Sequence, residues 1–272
     1  MTLLSDIYPH HASTPMFYMK FSKLEYLKPL EQGQLYMNNL QYFIDLEKET
    51  GQLGMGDMFE GASVVKPDKV VVALYKDENE QIPTGKHFEL NTSQITMRIN
   101  GMRQWPVFCL FAVNFKMLKV IEEREEDYIV SIQMSDKQKE TMIGEFGSHV
   151  FITAAHNFLE HITKAFKAQN ILIFRGLIDY LPFLELSERT SDYIFHDDIK
   201  ERIKVAFTKR SELAYQNEYR ILIMNQPTNK PTTINVGHIP NSLIIPVEGL
   251  STGEYVFSVN KEGLGEPVTT MQ

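Results

Sequence analysis

The residues best suited to chemistry lie late in the chain, where Gln216, Glu218 and Arg220 alternate with aromatic and aliphatic residues. If this stretch is extended, its period-two alternation places the three polar side chains on one face and the apolar ones on the other. A carboxylate held rigidly on such a face can hydrogen-bond a ribose hydroxyl and stabilise an oxocarbenium-like transition state. The alternative is a solvated strand face with a Glu–Arg pair worth less than about 1 kcal/mol.

A glycine-rich segment at residues 51–61 is the second candidate. Its glycines permit positive φ angles and a close approach of the backbone to a ligand. The spacing is not a dinucleotide-binding fingerprint, because no strand leads into it and the third glycine is absent. Asp57 and Glu60 can reach a polar ligand or a cation from this segment, and the alternative is a structured surface turn.

Polar and aromatic residues near the N-terminus form the third candidate. A strand there places Tyr18 and Lys20 on one face, and Tyr36 and Asn38 follow on a second short strand. Lys20 can engage a phosphate or a carboxylate, and the tyrosines can stack on a base or a nicotinamide ring. The alternative is an amphipathic strand with the stem of Lys20 lying along the protein surface.

Signatures of metal sites and hydrolases are absent from the sequence. It contains no His-Glu-x-x-His, no P-loop, no Gly-x-Ser-x-Gly and no zinc-ligand spacing, so we predict no metal site. A metal-dependent nuclease built on Asp57, Glu60 and Asp198 is a minor alternative, although the run from His196 to Asp198 is more typical of a helix cap.

Composition and charge restrict the class of protein. The chain has 272 residues, 43% of them hydrophobic, which is ordinary for a folded protein. A net charge of −8 disfavours general binding of a phosphate backbone. The single cysteine, Cys109, excludes an intrachain disulfide and fits a reducing compartment. Because no apolar run is long enough for a membrane span and no secretory signal is evident, we predict a cytoplasmic protein without membrane contact.

The hydrophobic pattern predicts one α+β domain over residues 1–272, with a mixed, mostly antiparallel sheet and helices early and in the middle. Strands are predicted at residues 16–21, 35–38, 70–75, 95–99, 107–113, 128–134, 171–175, 219–223, 243–246 and 254–259. Helices are predicted from Ser22 to Gly33, from Asn39 onward, after Phe151 and at residues 197–207.

Several fragments resemble a broad group of bacterial and phage proteins that has no agreed activity. They are Phe17-Tyr-Met-Lys-Phe, Gly33-Gln-Leu-Tyr-Met-Asn-Asn-Leu-Gln-Tyr-Phe, Gly56-Asp-Met-Phe-Glu-Gly, Pro106-Val-Phe-Cys and Lys209-Arg-Ser-x4-Tyr-Gln-Asn-Glu-Tyr-Arg. The similarity extends over most of the chain.

The order of these segments also resembles that of ADP-ribosyltransferases, including the DarT-like enzymes that modify nucleic acid. The resemblance implies an ADP-ribosyltransferase-like fold, with Glu218 catalytic and Gln216 orienting the acceptor. Arg220 joins this catalytic set because it shares their predicted face. The family's early His or Arg is absent, Lys20 stands near its place, and no middle Ser-Thr-Ser element is evident.

By the same resemblance NAD is the substrate, contacted by Tyr18, Lys20, Tyr36 and Asn38. We therefore expect an NAD-dependent ADP-ribosyltransferase-like toxin or enzyme of phage–bacterium conflict, acting on nucleic acid or protein. The alternative is a non-catalytic phage-encoded inhibitor that binds a host anti-phage defence complex through its acidic surface. Both allow a homo-oligomer.

Overall fold

The fold is built around a large antiparallel sheet, and Glu218 and Arg220 lie on one of its interior strands. The structure is a computed structural model that describes residues 2–51, 53–66, 70–73, 87–90, 94–251, 253–262 and 264. Within these ranges the α-helices are α1 (Leu4–Ile7), α2 (Leu24–Glu31), α3 (Leu40–Thr50), α4 (Asp136–Phe146), α5 (Ala155–Ala168), α6 (Phe183–Phe195), α7 (Ile199–Ile203) and α8 (Val247–Ser251).

The strands extend from the N-terminal region to the C-terminal region. They are β1 (Pro15–Ser22), β2 (Gln34–Asn39), β3 (Ala62–Val65), β4 (Val70–Ala73), β5 (His87–Leu90), β6 (Ile95–Arg98), β7 (Pro106–Asn114), β8 (Leu118–Glu123), β9 (Asp127–Ile132), β10 (His149–Ala154), β11 (Ile173–Leu177), β12 (Asp179–Leu181), β13 (Thr208–Arg210), β14 (Glu218–Ile223), β15 (Thr232–Asn235), β16 (Leu243–Pro246) and β17 (Phe257–Asn260).

The main sheet has the strand order β11-β14-β7-β1-β10-β16, and each neighbouring pair is antiparallel. Strand β2 also pairs with β7 and carries β15. Only the short pair β12–β13 is parallel among the ladders of the described residues. This architecture confirms the predicted α+β class with mostly antiparallel sheets.

Strand β14, an interior strand between β11 and β7, is buried along all six of its residues. Tyr219, Ile221 and Ile223 pack on one face of the sheet in a cluster that includes Tyr18. The other face carries Leu222 together with the charged residues of the same strand. Burial on both faces makes β14 a rigid support for any side chain that it carries.

Two helices close to the site follow directly from sequence signals. Asn39 caps α3 by accepting a hydrogen bond from the Tyr42 amide, 2.9 Å away, as predicted for a helix beginning there. Gly33, after α2, has φ +89°, and an added Cβ would lie 2.0 Å from the Gly237 carbonyl oxygen. Glycine therefore allows two chain segments to touch at this point.

Some predictions of elements were wrong. Helices α4 and α6 and strand β10 were not predicted, and residues 197–207 form only the short α7 followed by a 3-10 turn. Ser22 does not cap α2, whose N-cap residue is Lys23. Gln216 ends a 3-10 helix (Ser211–Gln216), and Asn217 has φ 38°, so the extended strand begins only at Glu218. The end of the predicted strand 70–75 lies outside the described residues.

In the part of the chain that the structure describes, we find no helix with the length and apolar character needed to cross a membrane.

Candidate functional site

Four charged side chains are buried together on one face of the main sheet. Glu218 and Arg220 come from β14, Lys209 comes from β13, and Glu60 comes from the glycine-rich segment. None is more than 6% exposed. We call these four residues the buried charge cluster. Two carboxylates and two cations balance each other in charge, which lowers the free-energy cost of burying them.

Arg220 is the hub of the cluster. Its Nε donates to Glu218 Oε1 at 2.7 Å, and its Nη1 and Nη2 donate to the two oxygens of Glu60 at 2.5 and 3.2 Å. Lys209 Nζ donates to the second oxygen of Glu218 at 2.7 Å and lies 3.8 Å from Glu60. The guanidinium fork thus fixes both carboxylates at once.

Electrostatics keep Glu218, Lys209 and Arg220 charged. Burial disfavours the ionised form of Glu218, but Arg220 and Lys209 outweigh burial, and its pKa is held well below the usual range. Burial likewise opposes charge on the two cations, but Glu218 and Glu60 raise their pKa values above ordinary ones. Glu218 is therefore a carboxylate at every physiological pH and cannot act as a proton donor.

Gln216 connects the cluster to the glycine-rich segment. Its Oε1 accepts from Lys209 Nζ at 3.1 Å, and its Nε2 donates to the carbonyl oxygen of Gly54 at 2.8 Å. The neighbouring Tyr215 hydroxyl donates to Glu145 at 2.6 Å. Gln216 lines the same cavity as Glu218 and Arg220, but it lies in the 3-10 helix before the strand and not on the strand face from which the grouping was predicted.

Residues 53–61 fold over the cluster and close it on one side. Gly54 has φ +149°, a backbone conformation that favours glycine, and an added Cβ would lie 2.6 Å from the Glu145 carboxylate. Asp57 accepts from Arg210 at 2.7 Å, and Glu47, which also binds Arg210, accepts from the Met58 amide at 2.5 Å. Glu60 and Asp57 thus bind arginines of the chain itself, and we name residues 53–61 the cover.

A small cavity of about 70 Å³ lies between the cluster and an apolar wall. The charged and polar side of the cavity is lined by Glu60, Lys209, Gln216, Glu218 and Arg220. The apolar wall consists of aromatic and methionine side chains, among them Phe21, Phe43, Met55, Phe111, Met142 and Phe146. A fixed carboxylate in a cavity that aromatic side chains also line can bind a ligand that is both cationic and planar.

Lys20 and Cys109 complete the cavity lining. The ladder between β1 and β7 ends at the pair Met19–Phe111, and just beyond it Lys20 Nζ donates to the carbonyl oxygen of Cys109 at 2.8 Å. Burial lowers the pKa of the Lys20 ammonium. Burial, followed by the nearby Glu218 carboxylate, raises the pKa of the Cys109 thiol to about 12, so this thiol is not a nucleophile.

The other residues predicted to contact NAD do not line this cavity. Tyr18 is buried on the opposite side of the sheet, where its ring lies 4.5 Å from that of Tyr219. Tyr36 is 59% exposed on β2. Asn38 borders a separate groove of about 450 Å³. Helix α3 separates the two, because its Phe43 lines the cavity and its Tyr42 lines the groove.

The residues of the nuclease alternative have other partners. Asp198 caps α7 by accepting from the Lys200 amide at 2.9 Å, which fits the predicted cap. Sequence reasoning did not single out Lys209 as a site residue. The sequence feature that points to Lys209 is its short spacing to Gln216 and Glu218, because a buried lysine is usually paired with a nearby carboxylate.

Comparison of the chain with protein-family models, curated proteins and solved structures gave no match in any of the three. The interpretation of the site therefore depends on its own geometry.

Proposed function

We propose that the protein is an ADP-ribosyltransferase-like enzyme of phage–bacterium conflict, which consumes NAD and modifies nucleic acid or protein. One observation carries the proposal: Glu218, an ionised carboxylate on a late strand, lines a cavity that is also lined by aromatic side chains. The nicotinamide ring of NAD is planar and cationic, and it suits a site of this composition.

In the proposed reaction the bond between C1′ of the ribose and the nicotinamide nitrogen breaks. Nicotinamide leaves with the electron pair and becomes neutral, while positive charge develops on the ribose. A nucleophilic atom of the acceptor then bonds to C1′ and loses its proton to solvent. Glu218 accepts a hydrogen bond from a ribose hydroxyl and stabilises the developing charge. Gln216 and Arg220 hold its carboxylate in place, Gln216 through Lys209 and Arg220 directly.

Glu218 retains capacity for this role. Each of its oxygens accepts one hydrogen bond from a cation, and a carboxylate oxygen offers two acceptor positions. The cavity itself is too small for the ring as it stands, because its volume of about 70 Å³ is roughly half of the ~150 Å³ cavity that holds a benzene ring. The proposal therefore includes an outward movement of the cover, starting with Met55, whose side chain is already 44% exposed.

The test is release of nicotinamide from NAD. The wild-type protein should release it, and Glu218→Gln should abolish the release by removing the charge at nearly constant size. Glu185→Gln, which changes an exposed carboxylate on α6, serves as the matched control and should keep full activity. Because Glu218→Gln can also disturb folding, Met55→Trp provides a second variant that fills the cavity and leaves every residue of the cluster unchanged. Full activity in both Glu218→Gln and Met55→Trp would refute the proposal.

The second candidate is a non-catalytic phage-encoded inhibitor that binds a host defence complex. The observation favouring it is the mutual saturation of the buried charge cluster, since ion pairs satisfied inside a fold need no substrate. In that case the wild type releases no nicotinamide, and Glu218→Gln still forms a stoichiometric complex with the defence proteins on size-exclusion chromatography. Loss of the complex in a folded Glu218→Gln variant would count against this candidate.

A further inference from the structure

Helix α6 has one buried side and one exposed side. Leu186 and Thr190 are buried, and Ser191, at the edge of the exposed side next to Leu184, contacts Ser63 of β3, 2.9 Å between the hydroxyl oxygens. At 100° per residue, the opposite side of the helix carries an exposed arc about 100° wide. Its members are Leu184, Glu185, Glu188, Asp192 and Phe195.

Two large apolar side chains on this arc lie in solvent. Leu184 is 78% exposed and Phe195 is 72% exposed, and Ile199 at the start of α7 is 51% exposed. Leu184 and Phe195 are eleven residues apart, which is close to three full turns, so they lie on the same side about 16 Å apart. Side chains this exposed bury little surface within the chain and are accessible to a partner.

Along α6 the charge beside these side chains is acidic, and a single exposed cation, Lys200, follows Ile199 on α7. Glu188 and Asp192 are exposed on the same arc, and Asp197 follows in the turn before α7. The nearest cation on the helix, Arg189, is engaged by Glu185 and by Asp179 of β12. A surface of this charge repels the phosphates of nucleic acid and attracts a basic protein.

We propose that this acidic–apolar face of α6 and α7 is a docking surface for a protein partner that presents lysine or arginine beside apolar hollows. Leu184, Phe195 and Ile199 occupy the hollows and provide most of the binding free energy. Glu188 and Asp192 face the cations of the partner and set its orientation and rate of association. None of these residues lines the cavity, so the inference stands independently of the proposed activity.

A synthetic amphipathic helical peptide of leucine and lysine is the probe, and its binding is measured by fluorescence anisotropy. The wild-type protein should bind the peptide, and Leu184→Ser/Phe195→Ser should weaken binding at least tenfold. Glu188→Gln/Asp192→Asn should weaken binding and reduce its dependence on salt. Because all these side chains are exposed, the thermal midpoint of the variants should stay at the wild-type value.

The matched control is Glu125→Gln/Glu126→Gln, which removes the same charge from the exposed turn between β8 and β9. The control should bind within twofold of the wild type. Equal losses in the control and in Glu188→Gln/Asp192→Asn, or unchanged binding by Leu184→Ser/Phe195→Ser, would show attraction by net charge alone and overturn the proposal. Nicotinamide release should be the same in all these variants, which separates this test from that of the activity.

Discussion

Removing the Arg220 side chain tests whether the buried charge cluster holds the fold together. Arg220→Met keeps a long apolar stem and deletes the guanidinium. The side chain is 1% exposed and binds both carboxylates, as well as the carbonyl oxygen of Ala206 at 2.5 Å. The substitution leaves Glu60 without a hydrogen-bonded cation and Glu218 with Lys209 alone.

Breaking a buried ion pair by removing one partner costs about 3–5 kcal/mol, because the remaining charge stays desolvated. Arg220 has two carboxylate partners, so we expect a loss of roughly 5 kcal/mol in the free energy of unfolding. For a chain of this size 1 kcal/mol shifts the thermal midpoint by about 2–4 °C, which predicts a fall of roughly 10–20 °C.

Urea unfolding followed by circular dichroism measures this loss, with thermal unfolding as the check. Arg189→Met is the matched control, because Arg189 also binds two carboxylates but is 38% exposed, and we expect it to cost less than about 1 kcal/mol. Adding Glu60→Gln to Arg220→Met should recover part of the loss by removing the unpaired charge. A loss in Arg220→Met no larger than in Arg189→Met would refute the reasoning.

Three further predictions concern the same structure. The pKa of Glu218 is lower in the folded state than its ordinary 4.5, so its contribution to stability is complete above about pH 6 and is lost as pH falls below 4.5. Urea unfolding at several pH values should therefore show that the free energy of unfolding falls less steeply at acid pH in Glu218→Gln than in the wild type. Cys109, which is half-buried, should react with iodoacetamide at pH 8 about a thousandfold more slowly than in the unfolded chain, because its pKa is raised to about 12. A rate near that of a free thiol would contradict the raised pKa. Gly33→Ala should lower the free energy of unfolding by more than about 2 kcal/mol, because the added Cβ meets Gly237. Gly101→Ala is the control: with φ +81° and nothing within 4 Å of the added Cβ, it should cost only about 1 kcal/mol of backbone strain. Equal losses in urea unfolding would show that the contact with Gly237 is absent.

The sequence predicts the elements whose hydrophobic period is unambiguous. Helices α3 and α5 and strands β1 and β7 have clear apolar stripes or runs, and the structure confirms them. Helix α4 was not predicted because it is mostly polar and buries only Met142. Helix α6 was not predicted because Leu184 and Phe195 lie on its exposed side and obscure its amphipathic pattern.

Part of the site was within reach of sequence reasoning. The spacing of Gln216, Glu218 and Arg220 predicts their proximity, because neighbours along a chain stay close in most conformations. Glu60 lies 160 residues from Arg220, and only the folding of the cover over the sheet brings the two together. Glu218 accepts hydrogen bonds from two cations only because of the tertiary packing, and the local sequence pattern does not predict both partners.

The central claim is that the cavity beside Glu218 receives the nicotinamide end of NAD. A crystal structure of the wild-type protein soaked with 1-methylnicotinamide, whose ring keeps the positive charge that it has in NAD, tests this claim most directly. The account predicts the ring between the aromatic wall and Glu218, with Met55 displaced toward solvent. A ring bound only in the groove beside Asn38, or no bound ring at a concentration that saturates known nicotinamide sites, would contradict it.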